Sequence, residues 1–298
     1  MNKDDVCIGA LVKSITGHDK STFYLVAGIE DGYAMLCDGK IRKLDNQKKK
    51  SLKHIKDFGI VSDIDISAVN DAAIRKEIKR LRALLPTTVL LIRHGQSDSN
   101  LRDTMTGQSD PQLTERGILQ AEVTAEFVYG NFDVDAVYSS DLKRAKHTAD
   151  ALANKLKCAV KTSKLLREMN VGVWDDKPFD EIERDYPEEY SIFRNDIGNA
   201  SCPGGESSAD VAKRVFGKIK SIVSENVGNT VAVAIHGGPI RAMQAVIGYG
   251  SVQAMKDIPW VANAAVVKIT YLNDDWKIEE VELDENAKRI ATRLPDNI

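Results

Sequence analysis

The 298-residue sequence predicts an α/β protein in two parts: a three-layer α/β/α domain on a mostly parallel sheet, preceded by a small all-β barrel. Three observations predict it. Up to Asp57 the apolar residues come in short runs broken by Gly and Asp; at Ser67 the spacing changes to that of a helix; from Thr87 onward strand-like and helix-like segments alternate. Charge divides along the same line. The formal −3 resolves into 11 basic against 8 acidic residues through Asp57 and 30 against 36 after it, so a basic piece precedes an acidic one.

Taken in order, VCIGALV, TFYLVAGI and YAMLC are the strand candidates of the first piece. Asp31-Gly32 and Asp38-Gly39 supply the positive φ angles of tight turns, and barrel closure would remove the sheet edges of so small a piece. Ile74, Ile78, Leu81 and Leu85 then form one helical stripe, stopped by Pro86. The expected division is a barrel over 1–60, a helical linker over 61–86 and the α/β domain over 87–298. In that domain TTVLLI, DAVYSS and TVAVAI are strands, while LTERGILQAEVTAEFV, DLKRAKHTADALANKL, DVAKRVFGKIKSIVSEN and PIRAMQAVIG are helices. Parallel strands of this kind place ligands at their carboxyl ends.

Composition narrows the setting. Cys7, Cys37, Cys158 and Cys202 are too far apart for a paired metal-ligand or redox motif, and the chain opens on MNKDD, so the expectation is a cytoplasmic protein with no metal and no cofactor. No apolar run approaches the ~20 residues of a spanning helix.

Two strand candidates end in the same way: TTVLLI runs into Arg93-His94-Gly95, and TVAVAI into His236-Gly237-Gly238. If both strands are central and parallel, the imidazoles meet in one crevice, and glycine after each histidine lets backbone approach a ligand closely. The other histidines, His18, His54 and His147, have no such setting.

With their neighbours these residues carry a resemblance. Arg93-His94-Gly95, Ser97, Asn100, Gly107, Asp110, Leu113-Thr114, Gly117 and Gln120-Ala121 are followed by SSDLKRAKHTA around Arg144, LLREMNVGVW around Glu168, and PGGES before AIHGGPIRA around His236. In order and spacing the segments resemble the histidine phosphatase superfamily, which includes the cofactor-dependent phosphoglycerate mutases. The resemblance implies a phosphoric monoester hydrolase of the histidine acid type. In it His94 is the nucleophile, Arg93, Arg144 and His236 stabilise the transferring group, and Glu168 is acid and base. Asn100, Thr106, Gly107 and Gly237 would line the phosphate pocket, and the substrate would be a small phosphorylated metabolite. Each role meets a chemical need: neutralising the phosphoryl oxygens, attacking in line, and protonating the leaving oxygen.

Two departures stand out. Phosphatase-type members often have Trp-Glu-Gly after the acidic residue, and here Trp174 precedes Asp175 and Asp176. The insertion with adjacent arginines that mutases use for a substrate carboxylate has no counterpart; only single arginines, Arg184, Arg194 and Arg214, occur there. A phosphatase is therefore favoured over the alternative, a phosphoglycerate mutase.

The segment from Gly9 through Ile55 resembles the KOW-type, SH3-like barrels of ribosomal and small bacterial RNA-binding proteins. Lys40, Arg42, Lys43, Lys48, Lys49, Lys50, Lys53 and Lys56 face only Asp38 and Asp45 between residues 38 and 56. The resemblance implies RNA or ribosome binding at Lys40, Arg42, Lys43, Lys48, Lys49, Lys50 and Lys53, with contacts to phosphates rather than to bases. A further alternative is an RNA-binding protein whose phosphatase fold is not catalytic.

Overall fold

A computed structural model describes residues 6–102 and 104–290. Contacts divide the described residues into two compact units: those up to Pro86 together with Val227–Asn229, and the remainder from Thr87 onward.

The first unit is an antiparallel sheet of β1 (Ala10–Ser14), β2 (Phe23–Glu30), β3 (Tyr33–Cys37), β4 (Lys48–Ser51) and β5 (Ile55–Val61), in the order β4-β3-β2-β1-β5. The expected barrel is not closed, because β4 and β5 are both edge strands. The single 3-10 turn Leu52–His54 between them carries β5 away to pair with β1. Asp31 and Gly32, with φ of 49° and 78°, make the two-residue hairpin turn from β2 to β3. Asp38-Gly39 instead opens a longer loop over residues 38–47. There the Asp38 carboxylate accepts from the backbone N–H of Lys40 and Arg42, and a Cβ at Gly39 would lie 2.2 Å from the Asp71 carbonyl oxygen.

α1 (Asp71–Arg82) begins where the Asn70 side chain accepts from the Ala73 N–H. Its Ile74, Ile78 and Leu81 bury against Leu11, Phe23 and Leu25 on one sheet face. Ala10, Val12, Tyr24, Val26, Ala34 and Leu36 bury together on the other. Strand periodicity therefore supplies two apolar layers from one sheet.

The second unit has a six-stranded sheet in the order β11-β10-β6-β9-β7-β8. β6 (Thr87–Arg93), β9 (Thr230–Ile235), β7 (Val134–Ser140) and β8 (Val160–Ser163) are parallel, while β10 (Val266–Leu272) and β11 (Asp275–Glu280) close one edge antiparallel. Alternation along β6 and β9 sends Leu90, Ile92, Ala232 and Ala234 toward α2 (Glu115–Asn131) and α3 (Lys143–Leu156). Val89, Leu91, Val231, Val233 and Ile235 go to the opposite face, under α6 (Ser208–Glu225) and α7 (Gly237–Gly248). This is the three-layer arrangement expected.

Between β8 and α6 the chain forms α4 (Phe179–Asp185) and α5 (Pro187–Asn195) around a fully buried Trp174. Tyr186, Tyr190 and Phe193 meet its indole edge-to-face at 5.7 to 6.2 Å. No helix among the described residues is long and apolar enough to cross a membrane.

Candidate active site

Each parallel strand delivers one or more polar residues beyond its carboxyl end: β6 gives His94, β9 gives His236, β7 leads into α3 and Arg144, and β8 leads to Glu168. Register brings the first two together. Arg93 pairs with Ile235, the His94 N–H donates to the Ile235 carbonyl at 3.0 Å, and the two imidazoles meet edge-to-face at 5.2 Å.

His94 is buried, and its Nδ1 lies 2.7 Å from the Gly95 carbonyl oxygen. A carbonyl only accepts, so Nδ1 carries the proton and Nε2 presents a lone pair to the cavity. Close packing fixes the ring's support: a Cβ at Gly95 would lie 2.2 Å from the Gly117 carbonyl oxygen, and one at Gly117 would lie 1.9 Å from that of Gln96. Burial, with Arg144 and Arg93 beside it, holds the His94 pKa well below the ordinary imidazole value. His236 is fully buried and held low for the same reason, with neither ring nitrogen partnered among the described residues.

Two guanidiniums complete the cationic wall. Arg144 is 1% exposed and donates to the carbonyl oxygens of Ser109 (2.8 Å) and Gly107 (2.9 Å). Arg93 donates to the Val261 carbonyl; burial lowers its pKa to about 10, which leaves it charged at neutral pH. Opposite them the Glu168 carboxyl accepts from the Met169 N–H (2.8 Å) and from the Gly238 N–H at the start of α7 (3.2 Å). Burial nevertheless pushes its pKa up. A Cβ at Gly238 would sit 2.5 Å from Glu168 Oε1, so glycine is what permits this approach.

Arg93, His94, Asn100, Thr106, Arg144, Glu168, Gly237 and Gly238 line one cavity. Asn100 Oδ1 accepts from the Ser97 N–H and hydroxyl, which turns its Nδ2 donors away from that turn. Gly107 is placed otherwise than a pocket donor would be. Its N–H bonds to Asp175 at 2.8 Å and its carbonyl holds Arg144, so it positions the arginine.

Sequence reasoning missed Asp175. Its carboxylate accepts from three successive backbone N–H groups, Gly107 (2.8 Å), Gln108 (3.1 Å) and Ser109 (2.7 Å), and from the Ser109 hydroxyl (2.9 Å). The same loop carries both carbonyls that orient Arg144. Read from sequence, Asp175 is only a departure from Trp-Glu-Gly; its partners lie some 66 to 68 positions away. Asn263, also missed, donates to the His94 carbonyl at 3.2 Å. Arg167 forks onto Asp141, and Arg214 onto Glu206, bracing the segment that presents Glu168.

The lysine cluster does not stay together. Along β4 alternate residues face opposite ways, so Lys48 and Lys50 both reach Asp19, at 3.0 and 2.8 Å, and Lys50 also donates to the Thr16 carbonyl. Lys50 is 8% exposed, and the pair holds the Asp19 carboxyl well below the usual carboxylate range in spite of its partial burial. Lys49 faces the other way, over the Tyr33 ring. Lys40, Lys43, Lys49 and Lys53 remain exposed, and Arg42 is half-buried. His18, His54 and His147 are exposed and away from the cavity. Among the described residues no group of three or more His, Cys, Asp or Glu is placed to hold a metal.

The chain is similar to several known phosphatases. The metal-independent phosphoserine phosphatase of Arabidopsis thaliana is 33% identical over 195 residues, covering 65% of this chain and 80% of that protein. Phosphoserine phosphatase 1 of Hydrogenobacter thermophilus is 32% identical over 155 residues, covering 52% and 73%. Among solved structures, a mycobacterial glucosyl-3-phosphoglycerate phosphatase superposes with a TM-score of 0.60 at 29% identity, covering 65% of this chain and 98% of that one. Bacillus stearothermophilus YhfR does so with 0.62 at 26%, covering 65% and 96%. Residues 89–284 match the histidine phosphatase superfamily (branch 1), and the chain belongs to that family.

Proposed function

We propose that residues 87–298 form a phosphomonoester hydrolase working through a phosphohistidine at His94 on a small phosphorylated substrate. The observation that carries the reading is the His94 tautomer. With the proton held on Nδ1 by the Gly95 carbonyl, Nε2 is a free nucleophile between two buried guanidiniums. Arg93 and Arg144 neutralise the phosphoryl oxygens that would repel it, and Asn100 and His236 add uncharged hydrogen-bond donors.

In the first displacement Nε2 forms a bond to phosphorus as the ester P–O bond breaks, and protonated Glu168 gives its proton to the leaving oxygen. The resulting carboxylate then takes a proton from water as the water oxygen attacks phosphorus; the P–N bond breaks and inorganic phosphate leaves. Glu168 ends protonated and Nε2 free, so the cycle closes. A raised Glu168 pKa favours the first half and a lowered His94 pKa keeps the nucleophile neutral in mildly acidic solution. Activity is therefore expected from acidic to neutral pH, declining as Glu168 deprotonates in the free enzyme.

Mutase chemistry needs a group that holds a substrate carboxylate, and among the described residues the arginines lining the cavity are Arg93 and Arg144, both at its phosphoryl end. For the N-terminal unit we assign no ligand. The pairing of Lys48 and Lys50 with Asp19 removes two members of the cluster on which an RNA site was expected.

Turnover of p-nitrophenyl phosphate by the full chain in EDTA, between about pH 5 and 8, tests the reading. Release of nitrophenol that is lost in His94→Asn supports it; an inert wild-type protein overturns it.

A further inference from the structure

Resting on that phosphomonoesterase reading, we propose that the leaving group is an apolar alcohol, alkyl or aryl, seated in a chamber that opens from the phosphoryl end of the cavity. Besides His94, Arg144 and Glu168, the cavity is lined by Phe179, Phe193, Ile197, Val211, Met255 and Trp260. Along this wall Ile197, Val211 and Met255 are buried, while Phe179, Phe193 and Trp260 are half-buried.

The polar groups along it are few and mostly engaged. The Ser208 hydroxyl donates to the Ile197 carbonyl, and the Ser99 hydroxyl pairs with that of Ser97. The Thr104 hydroxyl lines the cavity, is buried and has no partner among the described residues, so the wall offers a leaving group one unengaged hydroxyl. Among the described residues, charged side chains line the cavity only as Arg93, Arg144 and Glu168, all committed to the phosphoryl end. Arg241 stacks on the Trp260 ring at 4.8 Å and does not itself line the cavity.

A carboxylate or ammonium on the leaving group would thus enter an apolar enclosure with no opposite charge to meet it, which is strongly unfavourable. An alkyl or aryl body loses water against six apolar side chains and gains at every carbon. The Thr104 hydroxyl suits one ether or hydroxyl oxygen on that body.

A homologous series of n-alkyl phosphates, methyl through hexyl, with O-phosphoserine and p-nitrophenyl phosphate alongside, tests this on the full chain. The leaving alcohols of the series differ little in acidity, so its slope reports binding of the chain in the transition state. We expect kcat/KM to rise about fourfold per methylene, the fold-change equivalent to about 0.8 kcal/mol at 1.36 kcal/mol per decade. n-Hexyl phosphate should exceed O-phosphoserine by at least about tenfold. Phe193→Ala should flatten the rise, and Phe193→Arg should shift preference toward O-phosphoserine. A flat series, or O-phosphoserine as the better substrate, while p-nitrophenyl phosphate is still hydrolysed, overturns the apolar class and leaves the phosphohistidine chemistry standing. If no ester is hydrolysed, both fall together.

Discussion

Replacing Asp175 by alanine isolates the loop that orients Arg144. In the wild type three backbone N–H groups and one hydroxyl converge on this carboxylate at 2.7 to 3.1 Å. Hydrogen bonds to a charged acceptor contribute about 1.5 to 3 kcal/mol each when well buried. Asp175 is half-buried and water can reach part of the loop, so about 1 kcal/mol for each backbone donor is the appropriate scale. The expected loss is about 3 kcal/mol, or roughly 6 to 12 °C in Tm for a domain of this size. Because the carbonyls of Gly107 and Ser109 hold the Arg144 guanidinium, a loosened loop also misplaces that cation. A displacement near 1 Å reduces kcat/KM by about 10²-fold. Inorganic phosphate, which needs the same guanidinium, should become a weaker product inhibitor. Asp175→Asn, which keeps one acceptor oxygen but turns a donor toward the loop, should fall between the two. Thermal melts, steady-state turnover of p-nitrophenyl phosphate and phosphate inhibition are the assays. A variant that melts lower by the expected amount while kcat/KM and phosphate inhibition stay at wild-type values refutes the link from Asp175 to Arg144.

Two further outcomes follow from buried charge. His94 and His236 bind fewer protons folded than unfolded once the pH is below about 6.5, so stability should decline as the pH falls through that value, by about 1.4 kcal/mol per unit for each. Glu168 opposes this: its raised pKa adds stability at low pH that is lost as pH rises through the folded value, so the net slope is smaller than the two histidines alone would give. Urea titrations at about pH 6.5 and 5.5 measure it, and His236→Gln should reduce the slope by about three quarters of an equivalent; an unaltered slope would be inconsistent with a buried neutral His236. In the N-terminal unit, Lys50→Met leaves Asp19 with Lys48 and the Tyr24 hydroxyl and should cost about 2 to 3 kcal/mol, whereas Lys40→Ala should stay within about 0.5. Equal urea midpoints for the two variants would contradict the inward orientation of Lys50.

What the sequence makes legible here is what local pattern encodes. Two apolar runs ending in His-Gly signal parallel strands that deliver His94 and His236 to one edge, and the strand register places the imidazoles 5.2 Å apart. Glycines that permit close approach, Gly95 and Gly238, are also visible as residues, though only the packing shows that Gly117 and Glu168 are what they accommodate. Asp175 is illegible because its meaning depends on a loop far away in sequence whose N–H groups converge on its carboxylate. The lysine run misleads for a related reason. KKK suggests a solvated face, but a strand alternates sides, and an acidic partner 31 residues away, Asp19, draws two of the three inward. Barrel closure depends on where β5 goes after a single 3-10 turn, which composition does not encode.

The central claim is that phosphorus is bonded to His94 during turnover. Rapid denaturation of the full chain during hydrolysis of a radiolabelled phosphomonoester, followed by peptide mapping, tests it directly. The account predicts an acid-labile, base-stable label on the peptide containing His94, absent from His94→Asn and, with p-nitrophenyl phosphate, whose leaving group needs no proton, accumulating in Glu168→Gln, where water attack is slowed. A label that persists in His94→Asn, or one that survives acid on another residue, would contradict it.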